Sequence, residues 1–187
     1  MAKHYSVVFV LPGAATKYPP GGYDVVFRLA NGMNKQGMPT AIIFWSNFKE
    51  YIPKYRGYNK SLLKEIFTLI FYGKRINYFY KILRVLNKTI FKIDYEYNLL
   101  KNVDCYYYKK VEDISFDTKI IIATAWQTAY FVNSFVNNHP KVKGFYLVQH
   151  SEDDPSFSGK NSNLAKKTYN FALKKIVINK KVFNRFR

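Results

Sequence analysis

The sequence predicts an α/β fold in which a mostly parallel β-sheet is flanked by helices. Short apolar runs such as "YSVVFVL" lack the in-out alternation of a half-solvated strand, so they read as strands buried on both faces, the kind that parallel sheets need. Segments with apolar residues three and four apart lie between such runs, and that is helical spacing. The two patterns alternate along both halves of the chain, which is how βαβ units are written.

The first strand runs from Tyr5 to Leu11, and a loop with Pro12, Pro19, Pro20, Gly21 and Gly22 follows. From Tyr23 the spacing becomes helical: Val26, Leu29, Ala30 and Met33 share one face, Arg28, Asn31 and Lys35 the other, and Gly37 is placed to end the helix. "PTAIIFW" from Pro39 to Trp45 is a second buried strand, which completes a βαβ unit with an expected right-handed crossover. Residues Ser61 to Ile93 differ. Ile76, Phe79, Leu83, Leu86, Ile90 and Ile93 form an apolar stripe, while Lys74, Lys81 and Lys88 recur seven apart on another face, so this insertion reads as a basic amphipathic helix. "VDCYYY" is read as a further strand. The alternation then resumes with strands at "KIIIAT" from Lys119, "GFYLVQH" from Gly144 and "KIVIN" from Lys175, and helices at "AWQTAYFVNSFVNN" from Ala125 and "NLAKKTYNFAL" from Asn163.

Composition narrows the function classes. With 187 residues and 48% hydrophobic residues, the chain is long enough for one domain with a real core and is not a disordered polycation. The formal charge of +18 comes from 24 Lys and only 6 Arg. Lysine ammonium groups are compact point charges rather than the rigid forks that read base edges, so diffuse anionic partners are favoured. No groove-reading or RNA-stacking motif is present, and nucleic acid is therefore a disfavoured partner. One cysteine, Cys105, excludes an internal disulfide and fits a reducing compartment. No apolar run approaches the ~20 residues of a membrane span, so the protein is expected to be cytoplasmic, free or peripheral at a membrane.

Four stretches together resemble the N-terminal half of a GT-B-fold glycosyltransferase, most of all the family 4 group that includes rhamnosyltransferase-like enzymes. They are "VFVLPGA…PPGGYDVVFRLANGMNKQG", "IIATAWQTAYFV", "FYLVQHSED" and "AKKTYNFALKKIVINKKVF", and their order and spacing cover the chain apart from the Ser61 to Ile93 region. One departure is visible: the loop that tends to read "vQDyE" in that group is Gln149, His150, Ser151 and Glu152 here. The resemblance implies that residues 1–187 form a single Rossmann-like, acceptor-side domain. It implies transfer of a hexosyl or rhamnosyl group from a nucleotide-diphosphate sugar to a glycan or lipid-linked acceptor, without a metal or other cofactor. The donor-binding domain is expected from a longer chain or a partner chain, and this half is expected to be inactive or nearly so without it. A homo-oligomer is the other association expected.

The glycine pair carries the sharpest expectation. The first N–H groups of a helix lack internal partners and the peptide dipoles add positive charge there, so Gly21 and Gly22 offer a place for an anion and remove side chains from its path. The resemblance implies this phosphate-facing role, with Tyr23 beginning the helix; the alternative is a plain strand-to-helix turn. Ends of parallel strands face the ligand crevice, which makes Thr124, Trp126, Gln127 and Gln149 further binding candidates, with a core position the alternative for Trp126. His150 and Glu152 are the catalytic candidates, His150 as a base or a hydroxyl partner and Glu152, with Asp153 and Asp154, as a contact to acceptor hydroxyls. For each the alternative is structural: a solvated histidine, and acids that offset lysines. The basic helix at residues 74–92 suits an anionic lipid surface, or else packs its stripe on the sheet. The competing function is a non-enzymatic basic module that binds nucleic acid or anionic membrane.

Overall fold

A computed structural model describes residues 3–13, 21–45, 103–108, 111–178 and 180–184. The expected amphipathic helix at 61–93 lies outside the described residues. Six strands, β1 (His4–Pro12), β2 (Thr40–Trp45), β3 (Asp104–Tyr108), β4 (Asp117–Ala123), β5 (Lys143–Val148) and β6 (Lys174–Val177), form one sheet in the order β3-β2-β1-β4-β5-β6. Every pairing is parallel, and the architecture is Rossmann-like. The strand order reverses between β1 and β4, where Tyr5 stands opposite Thr118 and Val10 opposite Ala123. Around the sheet lie helices α1 (Gly21–Lys35), α2 (Trp126–Asn138), α3 (Pro155–Ser158), α4 (Ser162–Thr168) and α5 (Lys180–Phe183). No helix among the described residues is long and apolar enough to cross a membrane.

Two apolar layers explain the unalternating strands. Phe9, Leu11, Ile42, Phe44, Ile122 and Leu147 join the α1 residues Val26, Phe27 and Ala30 on one face. Val8, Val10, Ile43, Trp45, Ile121 and Tyr146 join the α2 residues Ala129, Phe131, Val132 and Phe135 on the other. Each central strand therefore needs apolar side chains at odd and even positions alike. The three tyrosines of β3 are split by the strand period: Tyr106 and Tyr108 stack on one another at 5.6 Å, while Tyr107 turns to the other face and stacks on Phe44 at 5.2 Å.

Three expectations change in detail. Helix α1 begins at Gly21, two residues before Tyr23, and its buried face is centred on Val26, Phe27 and Ala30, leaving Leu29 40% exposed. Leu29 and Phe27 lie on opposite flanks of the Val26–Ala30 line, and the larger aromatic ring takes the core. The helix expected from Asn163 to Leu173 ends as α4 at Thr168, because residues 169–173 turn the chain back into β6. Gly37 does end α1: at φ +77 it sets up N–H bonds from Gly37 to Asn34 O and from Met38 to Met33 O, a Schellman cap.

Candidate functional site

The carboxyl ends of β1, β4 and β5 and the start of α1 meet at one rim, beside the point where strand order reverses. This is where open α/β sheets bind ligands. Strand β1 turns out of the sheet at Gly13, whose φ of +74 is a conformation that side chains disfavour and whose N–H donates to Trp45 O at 2.6 Å. Tyr23 ties the first turn of α1 to this strand end, its hydroxyl donating to Pro12 O at 2.5 Å. Burial pushes that phenol up to about 12, so it remains a neutral donor. Thr124, just past β4, donates its hydroxyl to Val10 O at 2.7 Å and so fastens β4 to β1 at the reversal.

Gln149 bridges the two sides of the crevice. It follows β5, is 8% exposed, and its Nε2 lies 3.4 Å from both Gly22 O and Thr124 O, at the long limit of a hydrogen bond. Its Oε1 accepts no hydrogen bond from a described residue, yet it is buried. A methyl group at Gly22 would stand 3.0 Å from that oxygen. Gly22 is helical rather than left-handed, so its contribution is space for a close approach; among the described residues the positive-φ glycines are Gly13, Gly37 and Gly159. Gly21, Gly22, Tyr23, Thr124 and Gln149 thus share one rim.

The remaining candidates fall elsewhere. Trp126 is 2% exposed with its indole edge-on to Tyr130, so its ring is part of the core and offers no face to a sugar. Gln127 is half-buried at the second position of α2. His150 is exposed, its ring 5.6 Å from that of the exposed Phe157. Glu152, expected at an acceptor, faces inward at 2% exposure. Its carboxylate accepts the Trp126 N–H and the Tyr146 hydroxyl, each at 2.5 Å. Burial pushes its carboxyl up to about 7, against the opposing pull of those two donors. Among the described residues no three His, Cys, Asp or Glu side chains converge as a metal site.

Gly13, Tyr146 and Tyr169 were not picked out from sequence. Gly13 carries a signal, a glycine close after an apolar strand. Tyr146 and Tyr169 had none, since one reads as a core aromatic and the other as part of a helix. No family model matches the chain, and no curated protein sequence matches it.

Proposed function

We propose that this Rossmann-like unit is the acceptor-side domain of a nucleotide-sugar-dependent glycosyltransferase, in which the N-terminus of α1 receives a phosphate of the sugar nucleotide. The observation that carries the reading is the meeting of Gly22, Thr124 and Gln149 at the reversal between β1 and β4. Amide N–H groups in the first turn of a 15-residue helix lack intrahelical partners, and the helix dipole favours negative charge beside them. As the bond from the sugar to the diphosphate breaks, charge grows on the departing phosphate oxygen, and donors already in place stabilise it without reorganising. The Gln149 carboxamide suits the same ligand, because its Oε1 accepts no hydrogen bond from a described residue and a sugar or ribose hydroxyl supplies a donor. His150, exposed on the neighbouring loop, stands open to an acceptor hydroxyl.

Calorimetric titration of the full chain with UDP, GDP and dTDP tests the reading. At least one should bind saturably, and Gly22→Val should weaken it about tenfold or more, the equivalent of one charged hydrogen bond at ~1.5–3 kcal/mol. If none of the three binds, or if the valine variant binds as tightly as wild type, the assignment fails.

A further inference from the structure

We propose that Glu152 is a positioning residue for the crevice: by capping α2 in place of Ala125, it fixes the loop after β5 so that the Gln149 carboxamide stands against Gly22. Helix α2 starts without a cap of its own, since Ala125 at the N-cap makes no side-chain hydrogen bond. The N–H groups of Thr124 and Ala125 turn to Thr128 Oγ1, at 3.0 and 3.1 Å, which leaves Trp126 N–H for the carboxylate of Glu152. A helix N-terminus gains from such an acceptor, and more from a charged one.

The same residue is held on every side. Tyr146 of β5 donates to its carboxylate, the Ser158 hydroxyl of α3 donates to its carbonyl, and its N–H donates to the Tyr169 hydroxyl at 2.9 Å. Tyr169 also receives the Asp153 N–H at 3.4 Å and donates to Asp153 Oδ1 at 3.3 Å. The titratable groups that act on Glu152 are thus Tyr146 and Tyr169, with Asp153 next in the chain and bonded to Tyr169; no lysine or arginine pairs with it among the described residues. Gln149 lies three residues upstream on this anchored arc, so the direction of its side chain follows from where Glu152 is held. There is a second effect. The positive end of α2 is already met by the chain's own carboxylate, so that helix N-terminus is answered within the chain.

The inference uses the proposed function only for the ligand, and the test separates the two. Amide resonances of Gly22 and Gln149 are followed in the full chain from about pH 5.5 to about 8.5, with inorganic pyrophosphate as the probe. A His150→Asn background keeps the adjacent imidazole out of the response. Both resonances should show a pH step near neutrality, where burial places the Glu152 carboxyl. Glu152→Gln keeps an acceptor for Trp126 N–H, so it should abolish the step, hold the resonances near their wild-type positions and bind pyrophosphate within about twofold. Tyr146→Phe removes a donor that favours the charged form and should move the step upward. Glu152→Ala should displace both resonances and weaken pyrophosphate about fivefold to tenfold, the loss of one cap. If the alanine variant does not fold, the glutamine and phenylalanine variants decide. Gly22 and Gln149 signals that ignore pH in the wild type, or that Tyr146→Phe leaves unmoved, overturn the positioning role. If pyrophosphate perturbs no residue, the crevice assignment falls, while the pH steps still report on Glu152.

Discussion

At the level of single residues, Glu152 sets two forces against each other. Burial disfavours its charge and two donors favour it; burial wins, and the carboxyl sits at about 7 rather than its ordinary 4.5. A group raised in the folded state binds protons that the unfolded chain has released. Its contribution to stability is therefore fully present below about 4.5 and is lost as pH rises through about 7. Urea unfolding at a series of pH values should show wild type losing stability relative to Glu152→Gln across that window. The slope should reach on the order of 1.4 kcal/mol per pH unit, and parallel curves would show that the carboxyl is not perturbed. The acid itself was legible in the sequence as one of three at a strand end. Its task was not, because a cap delivered from 26 residues further along the chain depends on the path of a loop that no local pattern encodes. Gly22 shows the opposite case, since a glycine at the start of a helix after the first strand is a local signal and its place at the rim follows from that position.

Among the elements, two glycines with opposite surroundings test how tightly helices sit on the sheet. Gly144 opens β5 beneath α2, and a methyl group there would meet Leu173 Cδ2 at 2.6 Å and Val136 Cγ1 at 2.9 Å. Gly144→Ala should destabilise by about 1–3 kcal/mol through overpacking. Gly32, inside α1, has nothing within 4 Å of that position, so Gly32→Ala should stabilise by roughly 0.5–1 kcal/mol through backbone entropy and helix propensity. Thermal unfolding of the pair should move in opposite directions, and a shared direction would mean that the two environments are alike. Strands were the most legible elements, since a run such as Ala41 to Trp45 is apolar at every position for the simple reason that both of its faces are covered. Helix limits were less so. Nothing in "TYNFAL" announces that the chain must turn after Thr168 to reach the edge of the sheet, because helical spacing persists there by coincidence.

For the molecule as a whole, charge is unevenly shared. The described residues hold 13 Lys and Arg against 8 Asp and Glu, whereas residues 46–102 hold 12 against 4, so the +18 is weighted toward the inserted segment. If that segment meets an anionic lipid surface, changing Lys74, Lys81 and Lys88 together to Glu should weaken flotation with phosphatidylserine vesicles at least a hundredfold, at about 1 kcal/mol per basic residue. Vesicle binding that survives the change would place the contact elsewhere. The sheet order carries its own consequence for how the chain is made. β1 leaves the ribosome before the other five described strands, and β4, its central neighbour, pairs Tyr5 with Thr118. At roughly 5–20 residues per second, β1 waits several seconds or longer for that partner. Once β2 has paired with one side of β1, the other edge of the apolar ribbon "SVVFVL" stays unzipped through this interval, so the nascent chain's fate in the cell depends on what shields that edge until the middle of the sheet can close.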